Sequence, residues 1–272
     1  MSGVNTDKYI IQNMEMLSFF NLEDGSVYFI ADDLQEATMS NDSEIVYAEG
    51  KNGVRIGASE RNKTSNITAT NGTIVEGALA AQVGSDVTVG TTIVPNQFFA
   101  IDTPDGTYIT LTQKPIGTVG NEIAYIYKKD SSGGVGDKYA IAATATATTF
   151  SYDPATHKVT LPTGKFTAGD TVYLFYDIEV ANAKTIVNQE NRFSKTGMLI
   201  ADIFAKDVCT DKSYYGKIIY HKAKASGSFE LSFGNDPSVQ NLEFEAMSIG
   251  CGTQTKNLWT LIIYDGDDVT IL

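Results

Sequence analysis

Cysteine, histidine and proline are scarce in this chain of 272 residues: two, two and six, with a single tryptophan. Two cysteines, Cys209 and Cys251, cannot build the disulfide framework of a small secreted scaffold, and they read as reduced, packed thiols. The histidines, His157 and His221, have no Cys, His or carboxylate beside them at ligand spacing. The usual marks of a zinc site or a catalytic triad are therefore missing. No run of about 18 apolar residues could span a bilayer. The N-terminus lacks the basic stretch and apolar segment of a secretory signal, so synthesis in a cytoplasm is the expectation.

Phosphate and calcium motifs are absent as well. There is no GxxxxGK[ST] loop, and the glycine clusters at 117–120 and 132–136 follow β-like runs without opening helices, so they read as turns. The acidic group at 265–268 lacks the spaced oxygens and terminal glutamate of a calcium loop and reads as a solvated turn. Asn-x-Thr triplets at Asn62, Asn66 and Asn71 fit a Thr- and Asn-rich strand better than a glycosylated surface. No cofactor and no metal are implied, and no residue is a candidate catalyst. Basic charge is in deficit, 20 Lys and Arg against 33 Asp and Glu, a net of -13. Such a surface repels nucleic acid phosphates, which argues against gripping DNA but leaves room for DNA to slide past.

What the chain does contain is β periodicity. Its organising stretch is 215–247, where Phe229, Leu231 and Phe233 alternate with Glu230 and Ser232, and Leu242, Phe244 and Ala246 alternate with Glu243 and Glu245. Apolar residues at every second position argue two strand arms, and the turn formers Gly234, Asn235, Asp236 and Pro237 between them argue a hairpin. A third strand is expected over 217–225, with Ile218 and Tyr220 facing opposite to Ile219, His221 and Ala223. Such a sheet has one apolar and one polar face, and the polar face needs water or a partner. Glu230, Glu243 and Glu245 occupy its polar positions.

Taken in order, the chain offers a buried strand or short helix at 10–20, a turn at 21–25 and a strand at 27–31. A strand at 44–55 is broken by the tight turn Gly50-Lys51-Asn52-Gly53. Residues 64–73 read as another strand. One helix is expected, over 74–83, with Thr73 as N-cap, Glu76 in its first turn, Ile74, Ala78 and Ala81 on its apolar stripe, and Gly84 as its stop. Over 95–177 short strands recur every eight to twelve residues between turn signals such as Thr103-Pro104-Asp105-Gly106 and Tyr152-Asp153-Pro154. That texture argues an inserted all-β subdomain, 95–176, immunoglobulin-like, between core segments 1–94 and 177–272. Residues 177–191 read as an arm or crossover, and strands return at 193–211 and 257–264. The fold class is mainly β: an antiparallel sandwich or barrel with one flanking helix and an inserted β subdomain.

Two blocks carry a resemblance to a known family. NDSEIVYAEGKNGVRIGASERNKTSNITATNGTIVEGALAAQVGSD (41–86) and YYGKIIYHKAKASGSFELSFGNDPSVQNLEFEAMS (214–248) resemble the strand–turn–strand–helix unit and the late strands of major tail proteins, the tail tube proteins of long-tailed bacteriophages. The resemblance covers about a third of the chain. It implies a structural virion protein, not an enzyme, made in the bacterial host cytoplasm. Its copies would form rings, hexameric by resemblance, stacked as a hollow tube that conducts DNA without binding it specifically. Its other partners would be tail proteins, with extended arms reaching the next ring. Glu230, Glu243 and Glu245 are then candidates for the lumen or for an inter-subunit surface, and the insert would project outward. Alternative readings are a tail terminator, baseplate or head decoration protein, a β-sandwich adhesin or carbohydrate-binding module, and a β-rich hydrolase with a carboxylate pair.

Overall fold

A computed structural model describes residues 8–235, 237–249 and 257–265. Cys251 and most of the acidic turn at 265–268 lie outside them. The chain is mainly β: of the described residues 57% are strand and 4% helix. It divides into two compact units, Met1–Val87 with Ile186–Leu272, and Thr88–Thr185.

The first unit opens with β1 (Tyr9–Phe20), β2 (Val27–Ala31), β3 (Leu34–Glu49), β4 (Arg55–Asn71) and α1 (Glu76–Val83). The second supplies β5 (Thr88–Asp102), β6 (Tyr108–Thr110), β7 (Tyr125–Lys129), β8 (Val135–Ile141), β9 (Thr149–Asp153), β10 (Lys158–Thr160) and β11 (Thr171–Thr185). The first resumes with β12 (Thr196–Asp207), β13 (Ser213–Ala225), β14 (Gln240–Ala246) and β15 (Thr260–Asp265).

In the first unit the strands lie in the order β2-β1-β12-β13-β14-β4-β3, and β15 also pairs with β13. Only Asp32 and Asp33 separate β2, at one end of this sheet, from β3, at the other. Two residues cannot cross a flat sheet of that width, so the sheet curls until its ends meet. The period of two then decides what fills the inside. Leu199, Ala201, Ile203 and Ala205 of β12 are buried, as are Leu242, Phe244 and Ala246 of β14, and they join Leu17, Phe19, Phe29, Ile67 and Tyr220 in one core. Tyr220 brings its hydroxyl into that core with a partner. It lies 2.6 Å from Ser65 Oγ, which itself donates to the Ser40 carbonyl at 3.0 Å, so the tyrosine is the donor.

Helix α1 packs Ala78 and Ala81 against this core. Its start differs from the expected one. Val75, not Thr73, is the N-cap and has no side-chain cap; Gln240 Oε1 accepts from the Val75 N–H instead, at 2.8 Å. The side chain of a distant strand has replaced the local threonine, and Ile74, ahead of the first turn, is exposed rather than part of the stripe. Gly84 ends the helix in the left-handed conformation, as expected.

Three further expectations are corrected here. Residues 229–233 are not a strand: they lie in the loop between β13 and β14, with Phe233 88% exposed. The reason is that the neighbouring edges are taken. β13 is paired by β15 over 214–219 and by β14 over 223–225, and β4 is paired by β14, which leaves no ladder for a further strand. The second correction concerns the faces of β13. Gly197 and Leu199 lie opposite Ala223 and Tyr220, so β13 carries one extra residue there. That bulge turns Ala223 to the buried face together with Ile218 and Tyr220. Cys209 is likewise exposed rather than packed, in the turn after β12. Asp207 Oδ1 holds that turn, accepting from the N–H groups of Cys209 and Thr210 at 2.8 and 2.7 Å.

In the second unit the order is β5-β11-β7-β8-β9-β10-β6, with β8 and β9 parallel. β5 and β11 pair from Thr88↔Thr185 to Asp102↔Thr171, so β11 takes up the first part, 177–185, of the segment read as an arm. Pro95, which cannot donate to a ladder, falls at a register shift between Gln97 and Val94. The expected turns are built on aspartates. Asp105, Asp130 and Asp153 each accept a backbone N–H from two residues on, at 2.8, 2.8 and 3.0 Å. Hydrogen bonds from Thr107, Ser132 and Thr156 hold these carboxyls below their usual range.

The core of this unit includes Ile126, Phe150, Val159, Val172, Leu174 and Tyr176. Burial pushes the Tyr176 hydroxyl up to about 12 from an ordinary 10.0. A raised value means that the neutral phenol is the form the folded unit tolerates. Its contribution is fully present below pH 10.0 and is lost as pH rises towards 12. Alkaline unfolding of the second unit is therefore expected in that window, and Tyr176→Phe should shift the midpoint upward when far-UV circular dichroism is followed against pH.

Candidate functional site

The outer face of β14, β4 and β3 is where the first unit gathers its polar side chains. Leu242 and Phe244 point inward, so the alternate residues Asn241, Glu243 and Glu245 must point outward. Register extends each of them into a row across the sheet. Asn241 lies opposite Thr70, which lies opposite Glu36; Glu243 opposite Thr68 and then Thr38; Glu245 opposite Asn66 and then Ser40. On the other side of β14, Glu245 meets Lys224 of β13. Glu36, Thr38, Thr68, Thr70, Asn241 and Glu243 line a shallow groove of 290 Å³. Within it the Thr70 hydroxyl donates to Asn241 Oδ1 at 3.3 Å.

Of the three acidic residues singled out from the sequence, the sheet brings together Glu243 and Glu245. Glu230 is elsewhere, exposed in the loop before β14. Sequence reasoning missed Glu36, Thr38, Thr68 and Thr70. The alternation of Thr68 and Thr70 with Ile67 and Ala69 was legible, but its pairing with β14 joins residues about 170 positions apart, which no local pattern reports.

Beyond these rows the β3–β4 hairpin continues alone. β14 covers β4 only from Asn66 to Asn71, so residues 41–65 form a two-stranded ribbon, and nearly all of it is exposed. Ile45 and Tyr47 of β3 share one face with Ile56 and Ala58 of β4, and Ile56 is 71% exposed. Charged contacts link its two strands. The Arg55 guanidinium sits 3.8 Å over the Tyr47 ring, and Arg61 grips Glu44 through two bonds of 2.7 and 3.1 Å. The Arg61 and Asn62 donors hold the Glu44 carboxyl below its usual range. Four acids and four bases leave residues 41–65 with no net charge.

Several strand edges of this unit are open among the described residues. β3 pairs only with β4, and β1 pairs with β2 only over 17–20, among the described residues. Between them, residues 12–15 and 34–37 border a polar groove of 360 Å³. Charge is also unevenly divided. The second unit holds nine Asp and Glu against seven Lys and Arg, so 24 acids and 13 bases fall in the first.

No group of three or more His, Cys, Asp and Glu among the described residues is placed to hold a metal ion. His157 sits in a turn with φ 53, and His221 Nε2 lies 2.9 Å from Thr260 Oγ1. Among the described residues no helix is long and apolar enough to cross a membrane.

No curated protein matches the chain. A family model does: that of the YomU/Tube protein family matches residues 9–259. With nearly the whole length covered, and a β fold of the kind the late strands suggested, the chain belongs to the YomU/Tube protein family and is a phage tail tube protein.

Proposed function

We propose that copies of this chain close into rings, six to a ring, and that the rings stack into the hollow tail tube through which phage DNA passes. The observation that carries this reading is the outer face of β14, β4 and β3. It is a polar sheet of Thr, Asn and Glu that the core does not need, bordered by strand edges with no partner among the described residues. Joining such edges between neighbours removes them, and a head-to-tail contact that closes is a ring. The role is structural rather than catalytic.

In this arrangement the rows ending in Glu243 and Glu245 face the channel. Their like charge keeps phosphates mobile rather than bound, and most of the net charge of -13 belongs to the unit that carries them. The exposed ribbon at 41–65, uncharged overall and apolar on one face, reaches an adjacent ring. The protein functions in the virion tail, after assembly in the bacterial host cytoplasm and with other tail proteins at the tube ends.

Negative-stain microscopy of the purified chain tests the assembly. Rings or tubes of uniform width are expected; a monomer that binds glycans on an array would overturn the reading in favour of an adhesin. A second measurement addresses the channel. Tubes of the Glu243→Lys, Glu245→Lys double variant should retain short duplex DNA at about 50 mM salt and release it by about 200 mM, since such contacts fall steeply with salt. Wild-type tubes should retain none at either concentration. Equal retention by both would place these residues away from the channel.

A further inference from the structure

We propose that the second unit carries a self-association site, at which β5 of one copy pairs edge to edge with β5 of a second copy, beside a face of exposed aromatic rings. β5 ends its sheet and is hydrogen-bonded to β11 alone among the described residues, so its other edge presents backbone donors and acceptors. Natural edges are blunted by lysine, proline or bulges. Pro95 and the register shifts protect the early part of β5, but from Gln97 to Asp102 the ladder is regular and contains no Pro or Lys.

The same six residues border an aromatic surface. Phe98 lies opposite Phe175, and Ala100 opposite Tyr173, which in turn lies opposite Tyr127. The Phe98 ring is 5.1 Å from Phe175 and 5.3 Å from Tyr173, and Tyr127 is 6.4 Å from Phe175. Phe98 is 46% exposed and Phe175 41%. These rings are not needed inside, because the core is filled from the opposite face of β11 by Val172, Leu174 and Tyr176. Exposed aromatic groups of this kind mark contact surfaces, where they carry much of the binding energy.

Three observations make the occupant a second copy. Antiparallel pairing of one segment with itself is self-complementary: each copy presents the same residues, and the contact closes at two. The unit has nine acids and seven bases, so two of them meet with little repulsion, unlike two copies of the far more acidic first unit. Finally, the rings are inclined to one another by 42, 63 and 80°, which suits interdigitating side chains better than a flat stacked ligand. A stack of rings has a direction and a two-fold contact does not, so the pair belongs to the free subunit. The inference rests on the second unit alone and does not depend on the tube.

Sedimentation velocity of the full-length chain over a dilution series tests it, with Phe98→Ser and Ala100→Lys as variants at exposed positions. The smallest wild-type species should be a dimer. Each variant should raise the dimer dissociation constant at least about tenfold, with unchanged circular dichroism. Hydrogen exchange should slow over 97–102 in the dimer. A wild-type monomer at every concentration, or variants as dimeric as the wild type, would overturn the proposal. Should Phe98→Ser misfold, Ala100→Lys carries the test.

Discussion

Phe244→Ala is expected to destabilise the first unit by about 3–5 kcal/mol, read as a lower midpoint in denaturant with little change in slope. Phe244 is 2% exposed, and its ring lies 5.1 Å from Phe19 and 6.2 Å from Phe29. Removing it empties a volume bordered by side chains of β1 and β2 in a curled sheet. None of them can fill it without dragging its backbone and breaking ladder bonds, so most of the cavity persists. The matched control is Phe233→Ala. That residue belongs to the same alternating sequence pattern but lies in the open, and a change within about 0.5 kcal/mol is expected. If the two losses were equal, Phe233 would have to be packed rather than exposed.

A second large loss is expected at the end of α1. Gly84 sits at φ 70 and ψ 26, and the Ser85 N–H reaches back to the Ala80 carbonyl at 2.8 Å, closing the helix. An added Cβ would fall 2.0 Å from the Phe193 carbonyl oxygen. The left-handed backbone alone costs a side chain about 1–2 kcal/mol. The clash must also push back the segment whose Lys195 N–H is bonded to the Ala81 carbonyl at 2.8 Å. Gly84→Ala should therefore cost about 2–5 kcal/mol in all, the excess over the backbone cost being comparable to overpacking a core. Gly53→Ala separates the two contributions. Its φ is 72, but nothing lies within 4 Å of the added atom, so only the backbone cost should appear. The comparison needs only denaturant midpoints of the two variants. Equal losses would mean that the Phe193 segment yields freely.

Local signals were the reliable ones. The turn at 21–25, the strand Val27–Ala31, the Asn-Gly turn at 50–53 and the helix stop at Gly84 all appear where the residues placed them. Each is decided within a few positions, by φ preferences or by an aspartate bonding its own backbone. Where two distant segments compete, local reading failed. Residues 229–233 and 242–246 alternate equally well, yet only the second is paired, between β13 and β4. Thr73 is a good cap by type, but Gln240 arrived from another strand and took the bond. Glu243 and Glu245 could be placed on one face because they alternate with a buried Leu and Phe, whereas the strand expected around Glu230 did not form.

From its residues alone the chain is determined to be a mainly β, acidic protein with one helix and little apparatus for redox or metal chemistry. The two blocks at 41–86 and 214–248 were enough to suggest a tail tube protein. Composition and the period of two act on every residue by itself, so they survive without knowledge of neighbours. Which strand pairs with which, and therefore which carboxylates share a face and which edges stay open, was decided only by tertiary structure. A strand satisfies its backbone by whichever partner closes the core at least cost, and that partner can be 170 residues away, as Thr70 and Asn241 are.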